Sequence, residues 1–271
     1  MTQYTSDEIR SATSFLFVPG DRPERFEKAA ASGSDVVVID LEDAVAPADK
    51  EQARENARVW LHAGSPAMIR INGADTPWHE GDLTLSADGM TAVMLPKAGP
   101  VGELWRFDPS TLVVALVETA AGIAGLSELC VAPGVHRLAF GSIDFGAQLG
   151  IDPTDREALL TARSLLVIAS AANGLAPPID GVTTALTDRE MIINDVVYAR
   201  RLGLTGKLCI HPAQVAAAHE AAAPTQSEAE WATKVLASAS ANGSASAVDG
   251  QMVDLPVLQR ARDILAALSR V

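Results

Sequence analysis

The feature that most constrains this chain is a phrase repeated eight times: a short aliphatic or β-branched run, a charged or polar cluster directly after it, then a stretch of helical character. The runs cover residues 14–18, 36–40, 67–71, 92–95, 113–117, 137–140, 177–180 and 207–210, the seventh being rich in proline. Strands covered on both faces read as near-continuous apolar runs, and strands alternating with helices imply βα units and a parallel sheet. Eight such units are the number that closes a (β/α)8 TIM barrel. Helices are predicted between them over residues 23–32, 48–61, 122–129, 155–173 and 187–201, with Thr187 and Glu190 spaced as a capping box.

The clusters after the runs are informative in themselves. In order they are Asp21 and Arg22; Glu42 and Asp43; Arg70 and Asn72; Lys97; Glu118; Asp144; Asp180; and His211. In a barrel all of these fall on the C-terminal face of the strands, where active sites of this architecture are built. A nearly complete ring of polar groups there predicts an enzyme site.

With 271 residues and no linker-like stretch, the chain is expected to hold a barrel over residues 12–222 and a C-terminal extension over residues 223–271. Within the extension, residues 238–248 are small and of low complexity and read as a flexible loop. An acidic turn at 249–254 and a helix at 256–268 complete what reads as a lid. A formal net charge of −13 argues against a nucleic-acid partner, since phosphate binding wants a basic face. No run reaches the ~18 apolar residues of a membrane span, and residues 1–10 lack the apolar stretch of a signal peptide. The expectation is a cytoplasmic protein with no membrane association. Cys130 and Cys209 are far apart without C-x-x-C spacing, as buried thiols would be.

Glu118 and Asp144 each follow an apolar run and enter a small-residue turn. Two hard oxygen ligands suit Mg2+, with Mn2+ as a substitute, because Mg2+ takes one or two carboxylates and leaves its other positions to water and substrate. The plainer alternative is that Glu118 caps the helix after it and Asp144 is a turn residue. Arg70, near the end of an apolar strand, suits two-pronged binding of a substrate carboxylate, or an ion pair with Glu42, Asp43 or Glu118. Glu42 is placed to accept hydrogen bonds from water on a neighbouring cation, or else to pair with Arg70 or Lys97. The loop Pro19-Gly20-Asp21-Arg22-Pro23 enters a helix carrying Arg25 and Lys28, a combination that attracts phosphate. His211 reads as a structural histidine. No Ser-His-Asp set, Walker loop or G-x-G-x-x-G is present in context, and no lysine sits mid-strand, Lys97 and Lys207 near strand ends being the remaining imine candidates, so enolate chemistry is favoured over imine chemistry.

Taken together, Phe17-Val18-Pro19-Gly20-Asp21-Arg22-Pro23-Glu24, Ile39-Asp40-Leu41-Glu42-Asp43, Leu95-Pro96-Lys97, Val117-Glu118-Thr119, Phe140-Gly141-Ser142-Ile143-Asp144 and Gly206-Lys207-Leu208-Cys209-Ile210-His211-Pro212 resemble the citrate lyase β-subunit-like branch of the HpcH/HpaI aldolase superfamily. The resemblance runs from about residue 15 to residue 268. It implies a barrel that forms a homotrimer or a dimer of trimers, Mg2+, and cleavage or formation of a carbon–carbon bond in a 3-hydroxyacyl-CoA such as malyl-, citramalyl- or citryl-CoA. Coenzyme A is then part of the substrate and a 2-oxo acid the second small molecule. The resemblance places metal ligands at Glu118 and Asp144, a carboxylate- or carbonyl-binding arginine at Arg70, and CoA contacts at Phe17, Arg22 and Lys28. It also implies an acid–base aspartate from a neighbouring subunit at Asp254. A malyl-CoA thioesterase, a citrate lyase subunit working on an acyl carrier, and a class II pyruvate aldolase are the alternatives.

Overall fold

The computed structural model describes residues 3–99, 106–242, 246–248 and 251–268. Eight parallel strands close a barrel in sequence order: β1 Ser14–Pro19, β2 Val36–Asp40, β3 Met68–Arg70, β4 Ala92–Leu95, β5 Leu112–Val117, β6 Val135–Phe140, β7 Ala176–Asp180 and β8 Gly206–Cys209. β1 pairs with β2 on one side and with β8 on the other, where Phe15 lies opposite Leu208. The strands are those expected from the apolar runs, to within a residue or two at each end.

Alternate residues point inward, as a strand's two-residue period requires. Val36 and Val38, Ala92 and Met94, and Leu112, Val114 and Leu116 join Phe15, Met68, Ala139, Ile179 and Leu208 in one core. Ile9 and Ala12 belong to the same core. They come from the helix Ser6–Ser11 and its C-cap; the helix opens on a Thr5/Glu8 capping box and closes the end of the barrel where the strands begin. Outside the strands, Lys50–His62 buries Ala53, Ala57, Trp60 and Leu61 along one stripe, as a helix packed on a sheet should.

Three helix expectations change. The helix expected over 155–173 begins at Leu160, because Asp155 turns the chain back with its carboxylate accepting from Glu157 N and Ala158 N. The N-cap of Arg189–Leu202 is Asp188, not Thr187: its side chain accepts from Met191 N, which removes the expected capping box. Residues 238–248, expected as a loop, include the end of the helix Gln226–Asn242 and the strand Ser246–Val248; residues 243–245 and 249–250 lie outside the described residues.

The chain divides into two compact units, Met1–His219 and Glu220–Val271. In the second, the hairpin Ser246–Val248 and Gln251–Val253 accompanies the helices Gln226–Asn242 and Leu255–Leu268 around Ala232, Val235, Val253 and Ala261. Among the described residues no helix is long and apolar enough to cross a membrane. Cys130 and Cys209 are buried free thiols, and burial pushes the Cys209 thiol up to about 12.

Candidate functional site

Backbone hydrogen bonds lace the loops at the strand ends to a neighbouring strand. Gly20 N donates to Asp40 O, Leu41 N to Arg70 O, Ala98 N to Leu116 O and Gly141 N to Val117 O, at 2.8 to 3.0 Å. The side chains rising from these ends are therefore held on a rigid rim. They enclose a cleft of about 390 Å³ lined by Phe17, Asp40, Asp43, Arg70, Glu118 and Asp144 on its charged side.

Arg70 is the cation of this group. Its Nε and Nη2 donate to the two carboxylate oxygens of Asp40 at 2.7 and 2.6 Å, and its guanidinium stacks on Phe17 with 4.7 Å to the ring centre. Nη1 is left facing Glu42 at 3.3 Å and Asp43 at 3.6 Å. Burial works against the charge, but Asp40, then Glu42 and Asp43, outweigh it and hold the guanidinium well above its ordinary value. Asp40, 1% exposed, is the residue sequence reasoning passed over. Besides clamping Arg70 it accepts from Glu42 N at 2.8 Å and Ala44 N at 3.0 Å, so one carboxylate shapes the turn after β2 and aims the arginine. The available signal was a single acid at the end of an otherwise apolar run.

Glu42 is buried. Its Oε1 accepts from Lys97 Nζ at 2.6 Å, while Oε2 has no hydrogen-bond partner. Burial raises its carboxyl above the usual range, against the pull of Arg70 and Lys97. The turn behind it is braced by Lys50, whose Nζ donates to Leu41 O, Glu42 O and Asn72 Oδ1.

Glu118 follows β5 directly, and Gly141 follows β6 with Phe140 in register opposite Val117. A Cβ at Gly141 would strike Glu118 Cβ and Oε2, so the glycine makes room for the carboxylate. Lys97 donates its backbone N–H to Glu118 Oε1 at 2.7 Å from a left-handed conformation, φ 49°, which a non-glycine residue holds only when its surroundings fix it. The next helix is capped by Thr119, which accepts from Gly122 N, so Glu118 is not the cap. Burial, then the neighbouring Glu42 and Asp144, push the Glu118 carboxyl up to about 8. Asp144 lies exposed on the cleft in the first turn of the helix Ser142–Leu149.

This donor set fits a hard divalent cation. Glu118 is 2% exposed beside two more carboxylates, and positive charge there relieves the strain that holds its proton. Among the described residues no group of three or more His, Cys, Asp or Glu is placed to hold a metal ion, so Glu118 and Asp144 are the two carboxylates on offer, and Mg2+ takes one or two with water and substrate in its other positions.

The remaining predicted residues lie elsewhere. Arg22 is exposed and donates to Glu24 Oε1 at 2.7 Å; Lys28 is exposed on the helix Phe26–Ala30; neither lines the cleft. Asp254 belongs to the second unit, where its carboxylate accepts from Val257 N at the start of the last helix. His211 accepts from Ala213 N in its own turn. Lys207 is buried, donates to Gly181 O and stands 3.6 Å from Asp180, which also holds Arg163.

The family model for HpcH/HpaI aldolase/citrate lyase matches residues 13–212. The L-malyl-CoA/beta-methylmalyl-CoA lyase of Rhodobacter capsulatus is 31% identical over 294 residues, covering 92% of each chain. The CitE protein of Mycobacterium tuberculosis, solved in complex with magnesium, acetoacetate and coenzyme A, superposes with a TM-score of 0.86 at 35% identity, over 96% of this chain and 99% of that one. A citrate lyase beta subunit from M. tuberculosis, complexed with oxaloacetate and magnesium, gives 0.73 at 35% identity, over 80% and 100%.

Proposed function

The chain belongs to the HpcH/HpaI aldolase/citrate lyase family and is one of its lyases, and on that premise we propose that it breaks a carbon–carbon bond in a 3-hydroxyacyl-CoA, releasing an acyl-CoA and a 2-oxo acid. The observation that carries this reading is the cleft itself: one arginine clamped by Asp40, with Nη1 not hydrogen-bonded, beside a buried carboxylate whose surroundings call for a cation. Relatives solved with magnesium, and one with coenzyme A, support the same reading.

Glu118 and Asp144 would hold Mg2+, with Mn2+ as a substitute. Bound there, the ion would supply Lewis-acid stabilisation of negative charge on substrate oxygen. Arg70 presents Nη1 to the carboxylate on the carbinol carbon and fixes its orientation, since Asp40 prevents the guanidinium from turning. In the cleavage the hydroxyl proton leaves and the bond between C2 and C3 breaks. Its electron pair passes to C2 as the thioester enolate, and a proton returned to C2 gives the acyl-CoA. We assign that proton traffic to Asp254 of a neighbouring copy in a homotrimer, with Glu42, linking Arg70 and Lys97, as the group that keeps both cations in place. Phe17, Arg22 and Lys28 take the CoA portion.

The test is incubation with Mg2+ and a panel of 3-hydroxyacyl-CoAs, with detection of the 2-oxo acid. Equal amounts of oxo acid and shortened acyl-CoA are expected, lost on chelation. Free CoA without oxo acid would make the protein a thioesterase instead.

A further inference from the structure

Malyl-, citramalyl- and citryl-CoA differ at one place, the third substituent on the carbinol carbon: hydrogen, methyl or carboxymethyl. We infer that this cleft selects an uncharged substituent, hydrogen or a small alkyl group, and works against a second carboxylate; the inference rests on the lyase reading of the same site.

The charge count of the lining is the first ground. Among the described residues that line the cleft there is one cation, Arg70, against the carboxylates of Asp40, Asp43, Glu118 and Asp144. Two of the three guanidinium nitrogens are already committed to Asp40, and the third, Nη1, faces Glu42 and Asp43, so it can serve one substrate carboxylate at most. Lys97, exposed and not part of the lining, is held by Glu42 at 2.6 Å. With Glu118 and Asp144 taken by Mg2+ and Asp40 by Arg70, the lining offers a second carboxylate no cation: a carboxymethyl group would enter beside Asp43 or against an apolar wall, and a carboxylate taken out of water without a partner is strongly disfavoured.

The apolar wall is the second ground. Leu116, Phe140, Val182 and Leu208 face the cleft. Leu116 and Leu208 are members of the barrel core and Val182 packs against it, so this side of the cleft is floored by the carbon of the core. A methyl group laid on it is removed from water onto carbon and gains a few-fold in transition-state binding. Hydrogen loses that gain but incurs no charge penalty.

A related protein holds oxaloacetate with magnesium, so entry of a dicarboxylate is not the criterion; the ratio of turnover rates is. The experiment measures kcat/KM of the full chain with Mg2+ for the three thioesters, following oxo acid and acyl-CoA together. The expected result is a preference for malyl- or citramalyl-CoA over citryl-CoA of at least about 100-fold. Citryl-CoA turned over as well as either of the others would overturn the inference while leaving the lyase reading intact. Cleavage of none of the three removes the lyase reading and the inference with it. A Val182→Lys substitution, which adds a cation to the half-buried wall, is expected to raise citryl-CoA relative to citramalyl-CoA by about tenfold or more; an unchanged ratio counts against the wall as the selecting surface.

Discussion

Arg137, near the start of β6, and Arg70, at the end of β3, are two buried arginines of one barrel whose surroundings differ in kind. Arg137 donates to four neutral oxygens: Pro177 O at 2.6 Å, Ala12 O at 2.6 Å, Ile9 O at 3.2 Å and Thr205 Oγ1 at 2.9 Å. It also stacks on Phe15. Burial pushes it down to about 9, and it remains charged at neutral pH. Arg70 is pushed the other way by Asp40, Glu42 and Asp43, and it opens on a cleft. The closed end of the barrel spends its arginine on tying the N-terminal helix to two strands and Thr205. The open end gathers more carboxylates than its cations balance, a state that suits charged ligands and serves a fold poorly.

The same substitution at the two ends should therefore have crossed effects. Arg70→Lys keeps the charge but loses the two-pronged clamp, and kcat/KM is expected to fall about 10²–10³-fold with a nearly unchanged urea midpoint. Arg137→Lys leaves carbonyl acceptors without donors and is expected to cost about 1–3 kcal/mol of stability, with kcat/KM of the folded protein within about twofold of normal. Parallel kinetics and urea titrations decide it; activity and stability falling together in both variants would break the contrast.

Gly141→Ala sharpens the open end. The added carbon displaces Glu118, and a misplacement of about 1 Å at a reacting centre costs on the order of 10²-fold. Mg2+ affinity and turnover are expected to fall together while the circular dichroism spectrum is kept.

The smallest effect belongs to the closed end. His219 Nε2 contacts both Ser14 Oγ at 2.7 Å and Asp35 Oδ2 at 3.1 Å, which makes a clamp and not a catalytic relay, since a relay uses the two ring nitrogens separately. The Asp35 hydrogen bond raises the imidazole above its ordinary 6.5. A raised basic group stabilises fully below its ordinary value and loses that contribution as pH rises through the folded value. Because both partners are more than a third exposed, the loss between pH 6 and pH 8 is about a few tenths of a kcal/mol, measurable as a shift in melting temperature that His219→Ala abolishes.

The two ends also differ in how far they could be read from the residues. The strands and the polar ring were legible because burial on both faces forces apolar runs, and their carboxylates stand out against them. Asp40 was not, since at the end of Val36–Asp40 it counts as an interruption until its partner is known. The helix Ser142–Leu149 hid behind Gly141-Ser142, which reads as a turn. The end of Gln226–Asn242 looked like a low-complexity loop although alanine is the strongest helix former. Lys97's left-handed backbone has no local signal, because the residue expected there is glycine or asparagine.

The most direct test of the open end is a calorimetric titration of Mg2+ without substrate, between pH 6 and 9, in buffers of different ionisation enthalpy. A carboxyl raised to about 8 from an ordinary 4.5 makes the cation-free fold less stable as pH climbs between those values, and the cation must displace its proton. The expected result is an affinity that rises about tenfold per pH unit and levels off above about 8, with about one proton released at neutral pH and none in Glu118→Gln. An affinity independent of pH, or equal in Glu118→Gln, would contradict it.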